Sequence, residues 1–107
     1  MLSLPRLTGD YFSLSADASV AELGQVLAEN AVIRDERRVH HGLEAIREWR
    51  VDTMARTPFE VRPLSVETQG KEVTVKAEVS GAFPGSPVVL AHRFIVRDDR
   101  IVSLEII

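Results

Sequence analysis

The feature that most constrains this chain is a change of hydrophobic period partway along it. In the first half apolar residues recur every three or four positions, and in the second half they alternate. The clearest alternation sets Val73, Val75, Ala77 and Val79 against Thr74, Lys76 and Glu78, the pattern of a strand with one face buried and one in water. Three further strand-forming runs surround it. Phe59 to Thr68 is apolar at 59 and 61, then at 64 and 66, so its phase slips around Pro63. Proline has no N–H to give a ladder, which predicts a bulge or a sheet edge at that point. Val88–Val96 and Ile101–Ile107 complete the set. Turns fall at Gln69-Gly70 and Asp98-Asp99, and Gly81 to Pro87 is a loop by composition.

The first half reads as helices around one short strand. Leu7, Tyr11 and Leu14 share a helical face within the opening segment, with Gly9 counting against it. Ser19 and Glu22 make a capping box, in which each side chain satisfies a free backbone donor at a helix start. The stripe Leu23, Val26 and Leu27 extends that helix from about Val20 to Glu29, and Asn30 stops it. Ala31 to Asp35 is a short strand, and Arg37 to Gly42 is a turn or a brief strand. Leu43, Ile46, Trp49 and Thr53 form the stripe of a third helix, with Glu44, Arg47, Glu48 and Arg50 on its polar surface. Segregated helices and strands mean an α+β fold, with the helices packed on one face of a curved antiparallel sheet. No linker, repeat or low-complexity stretch interrupts the chain, so residues 1–107 are expected to form a single domain.

Composition excludes several functions. Absence of cysteine removes thiolate catalysis, disulfides and cysteine-based zinc sites. A net charge of −3, from 13 basic and 16 acidic residues interspersed along the chain, offers no basic stripe for nucleic acid. The apolar run in Met1-Leu2-Ser3-Leu4-Pro5-Arg6-Leu7 is too short for a signal peptide, and nothing downstream is long enough to span a bilayer. The expectation is a cytoplasmic protein that meets neither nucleic acid nor membrane.

Three passages carry a resemblance to a known family. The first is Tyr11-Phe12 leading through Ala16-Asp17 to the second helix. Next comes Glu29-Asn30-Ala31-Val32-Ile33-Arg34-Asp35, followed by His40-His41-Gly42-Leu43-Glu44-Ala45-Ile46-Arg47-Glu48-Trp49. The third is Ser86-Pro87-Val88-Val89-Leu90-Ala91-His92-Arg93-Phe94 with the turn into Arg100-Ile101-Val102-Ser103-Leu104. Their order and spacing resemble the nuclear transport factor 2-like superfamily and its SnoaL-like branch of polyketide cyclase-like and ketosteroid isomerase-like proteins. The resemblance implies a cone: a curved sheet with three helices from the N-terminal half in its concave face and a pocket at the wide end. It also implies a homodimer through the sheet face, where Val89, Arg93 and Ile95 would point outward. The superfamily holds isomerases, cyclases, dehydratases, hydrolases and non-enzymes, so fold alone does not choose among them.

Within that resemblance, Tyr11 and Asp35 fall where the ketosteroid isomerase branch has an oxyanion donor and a proton-moving carboxylate. A carboxylate shielded from water is a better base, and a phenol stabilises an enolate without a competing charge. Each has a plainer reading, Tyr11 as a core residue and Asp35 as a solvated strand-end residue or a partner for Arg34, Arg37 or Arg38. The second acid of that branch is missing, since the matching stretch is Leu90-Ala91-His92. His92 shares a strand face with Leu90, Phe94 and Val96, so it would point inward, as a second acid or as a core histidine bonded to backbone. His40 and Trp49 would line the pocket or brace the fold, and Leu90 and Phe94 would form its apolar wall. No spacing among Asp35, His40 and His92 resembles a metal-ligand motif, and no cofactor or metal is expected. Hydrolysis of an epoxide would need a second carboxylate and an arginine in the pocket, a pattern that Asp35 and Arg93 do not fit. The expected function is binding of a small apolar molecule, with isomerisation, cyclisation or dehydration using Asp35 as base. A non-catalytic binding or dimerisation module is the alternative.

Overall fold

The computed structural model of the chain describes residues 2–107. Its elements run α1 (Arg6–Ser13), α2 (Val20–Leu23), β1 (Leu27–Asp35), β2 (Arg38–His41), α3 (Leu43–Arg56), β3 (Phe59–Gln69), β4 (Glu72–Gly81), β5 (Val88–Arg97) and β6 (Arg100–Ile106). The expected α+β order is therefore present, and the four long strands of the second half form a meander. All six strands join one sheet in the order β2-β1-β6-β5-β4-β3. Among the described residues, no helix is long and apolar enough to cross a membrane.

Two expectations need correction. The second helix does not reach Glu29: it ends at Leu23, and β1 begins at Leu27 rather than Ala31. The capping box is made, Ser19 and Glu22 each accepting a hydrogen bond from the other's backbone, but the helix it opens lasts about one turn. A long-range partner wins over local pattern here, because Ile101 donates its N–H to the Val26 carbonyl at 2.9 Å and Leu27 pairs with Ile101. The Arg100 Nε donates to the Gly24 carbonyl at 3.0 Å and fastens the same corner. The sheet is also not wholly antiparallel, since β1 runs parallel to β6.

The core lies between the helices and the sheet face that carries Ile33, Leu104, Phe94, Val73 and Val75, all buried. Leu7 and Tyr11 of α1 and Ile46 of α3 close over it. The slip expected at Pro63 is a bulge: Pro63 pairs with Ala77 and Ser65 with the next residue, Lys76, which leaves Leu64 unopposed. Pro63 sits on the edge strand β3, where a missing N–H costs no ladder bond.

Gly42 joins β2 to α3 with φ 89° and ψ 160°, and its N–H donates to the Ala31 carbonyl at 2.8 Å. That conformation is closed to side-chain-bearing residues. An added Cβ would meet nothing nearer than the Glu29 carbonyl oxygen at 3.9 Å, so strain rather than collision sets the cost. Gly42→Ala should destabilise the fold by about 1–3 kcal/mol in urea denaturation. A loss below about 0.5 kcal/mol, the range of an ordinary surface substitution, would mean that the helix entry relaxes into another conformation.

Candidate functional site

Asp35 ends β1 on the helix-facing side of the sheet, one row beyond Ile33. The β1–β6 register places it level with Ile106, and the row continues through His92 on β5, Val75 on β4 and Val66 on β3. The row beneath runs His40, Ile33, Leu104, Phe94, Val73. Asp35 and His92 thus share one face two strands apart, roughly 10 Å at the backbone. His40 sits diagonally beside Asp35. Leu90 lies one alternation further along β5 from His92 and is half-buried, while Phe94 is fully buried.

Aromatic rings knit these positions to the helices. Tyr11 stands edge-on to Phe94 with centroids 5.5 Å apart and to Phe12 at 5.6 Å, and Phe12 stands edge-on to His92 at 5.3 Å. On the other side of Asp35, His40 stacks on Trp49 at 4.9 Å with the rings 22° from parallel. Tyr11 and His92 are buried, whereas Asp35, His40, Trp49 and Phe12 are half-buried.

The electrostatics differ from residue to residue. Burial, reinforced by the negative charge of Glu36 and opposed by a backbone hydrogen bond at Glu36, pushes the Asp35 carboxyl up to about 6. Arg34, Arg37 and Arg38 flank Asp35 in sequence, yet among the described residues it forms no ion pair with any of them. Burial lowers the His92 pKa, partly offset by backbone hydrogen bonding to Leu90 and Val75, and its Nδ1 lies 3.3 Å from the Leu90 carbonyl oxygen. Near neutral pH it is a neutral imidazole satisfied by backbone. Burial, helped by the Arg38 charge, likewise lowers His40.

Tyr11 brings in a residue that sequence reasoning had placed in solvent. Burial raises its phenol pKa; the charge and hydrogen bonding of Arg50 pull it back, and the nearby Asp35 charge raises it again. The Arg50 guanidinium carbon stands 5.2 Å from the Tyr11 ring centroid, its Nη2 donates to the Ser15 carbonyl at 3.1 Å, and its Nε is buried without a partner. Arg47 is exposed as expected, but Arg50 is half-buried. The available signal was its spacing of four from Ile46, which puts it on the buried side of α3.

Two surface hollows lie elsewhere. One, of about 680 Å³, runs between α2 and the start of α3 past Gly24, Gly42 and Arg100; the other lies along Val20, Glu48 and Asp52. Neither is lined by Tyr11, Asp35 or His92. Among the described residues, no three His, Asp or Glu side chains gather as a metal-binding group. On the outer sheet face Arg93 bonds Glu72 and Glu105, each at 3.1 Å; Val89, further along the same face of β5, is 56% exposed.

Residues 9–104 match the SnoaL-like domain family. A crystal structure of a proposed polyketide cyclase from Sinorhizobium meliloti is 36% identical, with TM-score 0.90, over 97% of this chain and 95% of that one. A Catenulispora acidiphila protein with a ketosteroid isomerase-like fold, crystallised with trimethylamine, is 20% identical with TM-score 0.79 over 98% and 86%. A proposed isomerase of the SnoaL-like family from Agrobacterium tumefaciens is 14% identical with TM-score 0.79 over 94% and 92%. At such identities the last two show the fold alone. No curated protein matches the chain.

The raised Asp35 pKa has a consequence for stability. The folded chain holds this proton more tightly than the unfolded chain does, so ionisation costs stability. The penalty is absent below the unfolded pKa of about 3.9 and complete once pH has risen past about 6. Asp35→Asn should therefore stabilise the protein at pH 8 by on the order of 1 kcal/mol, a figure discounted because the carboxylate is partly in water. The gain should vanish by about pH 4, the unfolded value, in urea midpoints taken across the range. A loss of stability at pH 8 would show that other groups hold the carboxylate favourably.

Proposed function

Because the chain belongs to the SnoaL-like family, we propose that it binds a small, flat, largely apolar molecule against the concave sheet face and moves a proton on it with Asp35 as base. One observation carries this reading: Asp35 is half-buried, stands in no ion pair among the described residues despite its arginine neighbours, and holds its proton up to about pH 6. A carboxylate of raised pKa is better matched to a weak carbon acid than a solvated one. The Tyr11 phenol lies within electrostatic reach of Asp35 and supplies the hydrogen bond that an enolate oxygen needs. Phe12, Trp49 and Leu90, each half-buried, give the apolar walls, with the buried Phe94 behind them. His92, neutral and bonded to backbone, offers the edge of its ring rather than a charge. Isomerisation, cyclisation and dehydration all begin with such a proton abstraction.

A second reading, a non-catalytic binding or dimerisation module, draws on the burial of Tyr11 and His92 among the protein's own side chains. The two separate in one experiment. The protein is incubated in D₂O with cyclic 1,3-diketones, β-keto esters and enones, and deuterium uptake at carbon is followed by mass spectrometry. Uptake above the buffer rate is expected for at least one compound class, rising with pH to a plateau above about 6. Asp35→Asn should lower it about 100-fold or more, the usual worth of a positioned base. Uptake that is the same in the variant, or absent across the panel, removes the base and leaves the binding module.

A further inference from the structure

We propose that Arg50 is an oxyanion-binding residue, and that the ligand of this site carries a delocalised oxyanion, an enolate, phenolate or carboxylate, on its flat apolar frame. The proposal rests on the reading of the site given above and deepens it by naming the ligand's polar end.

Arginine is rarely buried unless its charge is paired, and guanidinium does not escape that cost by losing a proton. Arg50 is half-buried. Among the described residues it forms no ion pair with any carboxylate. One backbone carbonyl, that of Ser15, takes a hydrogen bond from Nη2, the Tyr11 ring lies beneath the guanidinium, and the Tyr11 phenol is its hydrogen-bonding neighbour. These contacts hold the group in place without neutralising it. Its Nε is buried and unbonded, and the second such atom among the described side chains is Nε2 of His40, whose ring stacks on Trp49, the residue next to Arg50.

The two atoms without partners thus belong to groups packed against the same turn of α3, and one of them, the Arg50 guanidinium, lies over the Tyr11 ring. Alone, the Asp35 charge would repel any ligand oxygen that is or becomes anionic. A fixed cation over the phenol ring offsets that repulsion at an oxygen held there and leaves Asp35 to act at carbon. A planar guanidinium with a free N–H suits an oxygen whose charge is spread over a planar system.

Trp49 is the only tryptophan, so its fluorescence reports this site directly. The probes are 4-nitrophenolate and 4-nitrobenzoate at pH 8, each beside a neutral partner of similar shape, 4-nitroanisole and 4-nitrobenzamide. At least one anion should bind about 10-fold or more tightly than its neutral partner, the range of a hydrogen bond to a charged group. Preference for the phenolate alone identifies an enolate-like ligand, and preference for the benzoate alone a carboxylate. Arg50→Met should erase the preference, and Arg50→Lys should retain part of it, with thermal melts confirming that each variant is folded. Equal binding of anion and neutral partner by the unsubstituted protein overturns the proposal without needing any variant. So does a preference that survives in Arg50→Met. Absence of quenching by all four probes overturns it together with the ligand-binding reading. Anion preference without deuterium uptake leaves Arg50 standing and removes only the base.

Discussion

The parallel pairing of β1 with β6 is the interaction on which the rest of this structure depends. It joins the strand of the helical half to the last strand of the meander, and so turns two separate patterns into one sheet with a common buried face. Asp35 reaches the row of His92 only because β6 lies between them. The same pairing draws Leu27 to Asn30 out of the helix that their apolar spacing favours, and the register break between Leu27 and Val32 absorbs the mismatch. Ladder bonds and the burial of Leu27, Ala31 and Ile33 outweigh the few tenths of a kcal/mol per residue at stake in helix propensity.

On that sheet the site is a contest between burial and charge. Burial alone would leave Asp35 protonated at higher pH, Tyr11 reluctant to share its proton and both histidines neutral. The histidines stay neutral, and backbone partners settle His92. Asp35 and Tyr11 are treated differently, since a cation stands over the phenol and, among the described residues, none pairs with the carboxylate. The arrangement leaves a carboxylate without a cation at the end of β1 and a cation over the phenol of α1.

Much of the fold was legible because its signals are local. The alternation from Val73 to Val79 became β4, the Ser19 and Glu22 box was made, and Pro63 marked both a bulge and an edge. The parallel strand pair left no such trace, since its partners are nearly the whole chain apart and nothing in Leu27 to Asn30 announces Ile101. At the site, periodicity marked Tyr11 and His92 as residues on inward faces, whereas Asp35 was singled out only by the family resemblance, and all three lie on the core side of the sheet or helix. Arg50 was hidden by a rule that sorts helix faces by their apolar members. The side chain of arginine is long enough to lie along a buried face and still be counted as polar.

The sheet is open at both ends, and each edge is unattractive to another strand. At one end β2 is only four residues long and ends in the sharp Gly42 entry to α3. At the other, β3 is long, but Pro63 removes a donor from its middle, the bulge at Leu64 breaks its register, and Glu60, Arg62 and Glu67 line its exposed face. A foreign strand laid along β3 would find a ladder interrupted at its centre and charges on either side. The irregularity first visible as a slip of phase in the sequence is thus also a guard against runaway sheet extension, and smoothing it into a regular strand would trade a local defect for a tendency to aggregate.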